Sequence, residues 1–343
     1  MTNSGEAIGV SLFVVGIVGW VYKSLKPPAP KICGTPNGPP ITSPRIKLND
    51  GRHLAYKEVG VPKEKAKYKV ILCHGYDTSK HMHLALSQEF MEELNVYILL
   101  YDRAGYGESD PYPSRSVKSE AFDIQELADQ LELGNQFYVL GASLGTYPVW
   151  SCLKYIPHRL LGACLVVPFV NYWWHATPSA LAKRSFEQLP KSFQLTFGIA
   201  HHTPWLYYWW TKQKWFPSMM DEGMFTDSDF ELFMGVMNTL DNRPEKRRQQ
   251  GEHESLHRDL FVSFGNWDFD PIEMANPFTH CNSNKSCVQM WQGSADRVVP
   301  VELNRFLARK LPWIEYHEIP NAGHMLFHDH RSLEAIMRAL LPP

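Results

Sequence analysis

Three side chains far apart in the chain, Ser143, Asp296 and His324, have the types that nucleophilic acyl transfer requires. A serine hydroxyl is a weak nucleophile at neutral pH, so a histidine must take its proton as attack begins. An acid must in turn hold the imidazole in the right tautomer and stabilise its charged form. Each of the three lies just after a run that reads as a strand. If those runs belong to one parallel sheet, all three side chains project from the same edge. The chemistry would be formation of an acyl-enzyme on the serine, return of the proton to a leaving alcohol, and release of the acid by water.

The serine sits in Gly141-Ala142-Ser143-Leu144-Gly145, between the apolar run Phe137 to Leu140 and a helical stretch that reaches Tyr155 and stops at Pro157. A turn sharp enough to push the hydroxyl off the end of the sheet needs small neighbours, and Gly141 and Gly145 supply them. The Leu144 amide then falls at a helix start, unpaired within the helix and at the positive end of its dipole, where it can receive an oxyanion. Asp296 follows the run Cys287 to Trp291, and His324 follows Ile314 to Ile319 through the small pair Ala322-Gly323. Asp268 and Asp270 are alternative acids that do not directly follow a strand, and His328 and His330 are neighbouring imidazoles without the Ala-Gly pair. His81-x-His83 and His328-x-His330 lack the Cys/His company of a metal site, so neither metal nor cofactor is expected.

The remaining pattern supplies the scaffold. Arg45 to Gly60 reads as a hairpin turned at Asn49-Asp50-Gly51. Tyr68 to Cys73 and Val96 to Tyr101 read as buried strands, Leu84 to Leu94 and Ser116 to Leu133 as helices, and Leu160 to Val170 as a further strand. Val301 to Leu311 and Ser332 to Leu341 are helical near the end of the chain. This alternation predicts an α/β fold, a mainly parallel sheet with helices on both faces. The alternation stops at Tyr172 to Phe216, where thirteen of forty-five residues are aromatic and prolines break the run into short helices. Those aromatics form their own core, line an apolar acyl or ring-binding pocket above Ser143, or touch a membrane surface. Asn242 to Arg258, with Lys246, Arg247 and Arg248, reads as a solvated loop.

The G-x-S-x-G elbow and the order Ser, acid, His resemble the α/β hydrolases, from about Arg45 to the C-terminus. The resemblance implies that His74-Gly75-Tyr76 is the oxyanion loop. Tyr76 and Leu144 would then donate the two backbone N–H groups, with His74 an organising side chain and Gly75, Gly141 and Gly145 allowing the close approach. It implies that Asp102 to Asp110, a D-x-x-G-x-G-x-S loop, is structural, and that a helical cap is inserted after the sixth strand. Serine at the elbow separates the chain from epoxide hydrolases and haloalkane dehalogenases, which resemble this fold but carry Asp there. The chain looks closest to a membrane-anchored plant-type group. The expected activity is that of a carboxylesterase or lipase-like serine hydrolase on a small, lipophilic ester. A ligand-binding receptor or scaffold with little turnover is the alternative.

Composition fits one large domain with an insertion: 343 residues, 44% hydrophobic, with 34 basic against 36 acidic side chains and so no nucleic-acid footprint. The uncharged stretch Ala7 to Tyr22, with Lys23, Lys26 and Lys31 after it, reads as a single membrane anchor that leaves the catalytic domain in the cytosol. Six scattered cysteines agree with a reducing compartment, against a possible small disulfide between Cys281 and Cys287 and the sequon at Asn284. The expected organisation is an anchor over 1–26, a Pro-rich tether over 27–44, a core over 45–170 and 286–343, and a cap over 171–285.

Overall fold

A computed structural model describes residues 13, 16–217, 224–237, 243–278 and 286–342. Eight strands form one sheet: β1 (Arg45–Lys47), β2 (His53–Gly60), β3 (Tyr68–Cys73), β4 (Val96–Tyr101), β5 (Phe137–Ala142), β6 (Leu160–Val166), β7 (Val288–Gly293) and β8 (Ile314–Ile319). Their spatial order is β1-β2-β4-β3-β5-β6-β7-β8. The first hairpin is antiparallel and β2 runs antiparallel to β4, while all pairs from β4 to β8 are parallel. The carboxyl ends of β3, β5, β7 and β8 therefore lie along one edge, where the loops that follow them can converge.

Alternation along the strands divides the core between the two faces of the sheet. Ile71, Leu99 and Val139 point to one face, where they meet α2 (Val117–Gln130), α3 (Thr146–Tyr155) and α8 (Val301–Lys310) through Ile124, Trp150 and Leu307. Val70, Ile98 and Leu140 point to the other, against α1 (Gln88–Glu93) and α9 (His330–Leu340) through Phe90, Ile336 and Met337. Helix starts follow local capping chemistry. Ser87 accepts from the Phe90 amide, Ser116 and Ser119 form a reciprocal box, and Asp329 accepts from the Ser332 amide.

Between β6 and β7 the described residues form no strand. They contain α4 (Ser179–Glu187), α5 (Lys191–His202), α6 (Asp227–Met237) and α7 (Arg258–Phe264), together with shorter turns. Among the tryptophans of this region, Trp174 and Trp210 are buried, whereas Trp205 and Trp215 are more than half exposed.

The N-terminal segment corrects the expected membrane anchor. No helix among the described residues is long and apolar enough to cross a membrane. The single-pass localisation, the membrane as a partner and the membrane-anchored subgroup lose their basis with it. Residues 1–12, 14 and 15 lie outside the described residues. The Pro-rich stretch that follows lies against the body: the Lys31 and Cys33 amides donate to Gln250, and the Thr42 and Ser43 amides donate to the Glu108 carboxylate. Cys33, Cys73, Cys152 and Cys164 are free thiols, but Cys287 is disulfide-bonded, which removes the argument for a reducing compartment. Cys281 and Asn284 lie outside the described residues.

Candidate active site

The turn from β5 into α3 holds Ser143 at φ +53°, a left-handed conformation that a non-glycine residue adopts only under constraint. The constraint is the closeness of the packing around it. A Cβ on Gly141 would lie 2.1 Å from the Gly145 carbonyl oxygen, and one on Gly145 would lie 2.2 Å from the Cys73 carbonyl oxygen at the end of β3. The elbow is thus wedged against the strand that feeds the His74 loop. Gly145→Ala is expected to force these two chain segments apart and to destabilise the protein by about 1–3 kcal/mol, read from denaturant unfolding.

Ser143 Oγ lies 2.9 Å from His324 Nε2, and His324 Nδ1 lies 2.9 Å from Asp296 Oδ2. The Asp296 carboxylate also accepts from the Val298 and Val299 amides at 2.8 and 2.9 Å and from Gln292 Nε2 at 3.0 Å, so its orientation is fixed from three directions. Burial pulls the His324 imidazole towards neutrality. The charge and hydrogen bond of Asp296, and then the charge of Asp229, outweigh this and raise its pKa above the ordinary histidine value.

The other candidates lie elsewhere. Asp268 accepts from the Tyr155 hydroxyl, and Asp270 caps a turn by accepting from the Ile272 and Ala176 amides. His330 is exposed and faces the Ala85 carbonyl, and His328 borders the cavity described below without contacting Ser143. Among the described residues, His324 is the imidazole within hydrogen-bond distance of the serine.

The loop after β3 is held from three sides. His74 is buried and flanked by the Arg103 charge, which together keep its pKa well below the ordinary value, so the ring is neutral. Nε2 accepts from the Arg103 amide at 3.0 Å, which leaves Nδ1–H to donate to the Gly75 carbonyl at 2.9 Å. The Arg103 guanidinium then donates to the carbonyls of His74 and Gly75 and forms a two-pronged pair with Asp259 of α7. Asp77, at φ +51°, receives both Arg247 and Arg248. Tyr76, between these clamps, borders the same cavity as Leu144, Ser143 and His324. The segment before α7 is therefore no solvated loop. Two of its three adjacent basic residues fasten the turn beside the serine. Their charge suggested solvent, and only the long-range pairing with Asp77 reveals the role.

Asp102 fulfils the structural part expected of its loop. It accepts from the Lys80 and Glu108 amides, while the Ser109 hydroxyl donates to the Asp102 carbonyl at 2.6 Å.

The site opens into a cavity of about 960 Å³ whose walls include Phe169, Val170, Phe197, Phe225, Leu260 and Phe264. Arg247, Arg248, Lys212 and Pro28 also border it. Phenylalanines, with Tyr76, Tyr172 and Tyr208, and none of the described tryptophans, form its aromatic lining. A wide apolar space beside one hydroxyl–imidazole pair can hold an apolar group while leaving a carbonyl at the serine.

Comparison with known proteins agrees with this architecture. No curated protein sequence matches the chain. Among solved structures, a thermophilic esterase from Thermogutta terrifontis is 18% identical, with 88% of this chain and 100% of that one covered at a TM-score of 0.56. An alpha/beta hydrolase fold protein from Chitinophaga pinensis is 17% identical, with 87% and 95% covered at a TM-score of 0.57. An enol-lactonase from Burkholderia xenovorans LB400 is 15% identical, with 86% and 97% covered at a TM-score of 0.55. At such identities the likeness is one of fold. The sequence model of the Alpha/beta hydrolase family matches residues 70–336, well over half of the chain. By that match, over a mainly parallel eight-stranded sheet, this chain belongs to the alpha/beta hydrolase family.

Proposed function

We propose that the protein is a serine hydrolase that cleaves a lipophilic carboxylic ester through an acyl-enzyme on Ser143. The observation that carries this reading is the unbroken hydrogen-bonded line from Ser143 through His324 to Asp296 at the floor of an apolar cavity. His324 takes the Ser143 proton as Oγ attacks the ester carbonyl, and the resulting oxyanion receives the Tyr76 and Leu144 amides. Collapse of the tetrahedral species breaks the ester C–O bond, and the alcohol leaves with the proton from His324. Water then attacks the acyl-enzyme with His324 again as base, releasing the carboxylic acid and free serine. The residues 171–285 act as a cap whose helices supply much of the acyl-binding wall.

The test is turnover of 4-nitrophenyl esters graded by acyl length. Medium and long acyl chains are expected to give higher kcat/KM than acetate, because the added methylenes meet the phenylalanine walls. Failure to turn over any ester, with no labelling by a fluorophosphonate, would instead make the cavity a ligand-binding one. The pH dependence follows from the raised imidazole. Only the neutral ring can accept the serine proton, so kcat/KM should fall as pH drops through an apparent pKa above about 6.5, the ordinary histidine value. A rate profile between pH 5 and 9 measures it.

A further inference from the structure

A second buried carboxylate reaches the loop that carries His324. Asp229 lies in the first turn of α6, between β6 and β7, and is 1% exposed. Its Oδ1 accepts from the Met325 amide at 2.7 Å, directly after the histidine. Its Oδ2 accepts from the Thr226 amide and hydroxyl at 2.9 and 2.8 Å, so the carboxylate is fixed from its own side as well. On its other side it lies over Gly323, directly before the histidine: a Cβ there would fall 2.1 Å from Asp229 Oδ2. Glycine at 323 is thus required by the carboxylate that fills the space.

We propose that Asp229 is a positioning residue for His324, acting through the Met325 amide to hold the imidazole in register with Ser143. The inference rests on the proposed serine hydrolysis and extends it. Two carboxylates then serve one base. Asp296 orients the ring through Nδ1, and Asp229 anchors the backbone on which the ring stands. Because Phe233 on the same helix borders the cavity, the base is registered against a wall that the substrate touches. The charge of Asp229 also favours the imidazolium that forms when serine attacks. The other titratable groups facing the ring are Asp296, from the loop after β7, and His328, on its own loop. Burial, and after it the His83 charge, bring the His328 pKa down to about 4, so it adds no charge near neutral pH.

The experiment compares wild type with Asp229→Asn and Asp229→Ala in two readouts: the titration of the His324 ring followed by NMR, and the pH profile of kcat/KM on a 4-nitrophenyl ester. Asparagine keeps an acceptor for the Met325 amide but removes the charge. Both the ring titration and the acid limb should therefore move to lower pH. Asp229→Ala, which also frees the loop, should lower plateau kcat by roughly 10 to 100-fold with a smaller change in KM. An unchanged ring titration in folded Asp229→Asn, or an unchanged kcat in folded Asp229→Ala, overturns the inference. Should both variants fail to fold, Gly323→Ala displaces the same carboxylate and must move the ring titration in the same direction; an unmoved titration there overturns it too. The ring titration does not depend on turnover, so a wild type that cleaves no ester refutes the proposed function separately.

Discussion

Ser143→Ala should abolish both ester turnover and fluorophosphonate labelling while the protein remains folded. The expected loss is on the order of a million-fold in kcat, because the nucleophile and its base act as a unit and removing one silences the other. His324→Ala should lose nearly as much. Folding should survive in Ser143→Ala because the substitution removes only the hydroxyl, whose hydrogen bond is to His324. The backbone role of the residue, its carbonyl accepting from the Thr146 hydroxyl at 2.6 Å, is untouched. Alanine meets the same left-handed strain that serine already bears at φ +53°. Near-wild-type turnover in purified Ser143→Ala would remove the serine from the mechanism, and loss of the folded state would make the residue structural instead.

Asp259→Ala should have the largest effect on stability. The carboxylate is fully buried between two buried guanidiniums, with Arg103 at 2.5 and 2.7 Å and Arg115 at 3.1 Å, and it also accepts from the Tyr106 and Tyr147 hydroxyls at 2.7 Å each. Removing it leaves two positive charges out of water, with Glu120 on Arg115 as the remaining carboxylate of the cluster. Breaking a buried pair from one side costs about 3–5 kcal/mol, comparable with much of the stability of a typical domain. Unfolding in urea gives the number directly, and a loss below about 1 kcal/mol would mean that the cluster is largely hydrated in solution.

The same group sets an acid limit. Burial works to raise the Asp259 pKa, but the charges of Arg103 and Arg115 overcome it and bring it down to about 2, from an ordinary 3.8. A depressed carboxylate stabilises the fold fully above its unfolded pKa, and that contribution is lost as pH falls through the window from about 3.8 to about 2. Wild type should therefore lose stability steeply across that range, and Asp259→Asn should show a shallower acid dependence.

How far the sequence carries depends on whether the determining contact is local. Strands β3, β4 and β8 have the predicted bounds: β3 and β4 are largely apolar runs closed by residues that favour turns, and β8, of mixed polarity, is closed by Pro320-Asn321. The expected strand Leu160 to Val170 stops at Val166. Val167 adopts φ +43° and Pro168 offers no N–H, so the ladder cannot continue. Phe169 and Val170 remain apolar because they border the cavity, and a cavity wall has the same composition as a strand core. The expected helix over Leu84 to Leu94 shortens to Gln88–Glu93 because Ser87 supplies the cap. The convergence of Ser143, Asp296 and His324 was legible because each occupies a short stretch with a steric demand of its own. Arg103, Asp77 and Asp229 carried no such mark. Their meaning lies in partners more than ninety residues away, and a charged residue with a distant partner looks the same in sequence as one facing solvent.

The pairing of Arg103 with Asp259 across 156 residues also fixes an order of events during synthesis. At roughly 5–20 residues per second, the arginine leaves the ribosome about 8–30 seconds before its counter-ion exists. Strands β5 and β6 are added to β3 and β4 within that interval, yet the cation beside them lacks Asp259 and cannot be enclosed without a large penalty. The nascent sheet must keep this edge wet until the later segment emerges. A chain stalled before Asp259 is consequently an open sheet that lacks β7 and β8, and its polar seam delays closure until the segment that completes it has been made.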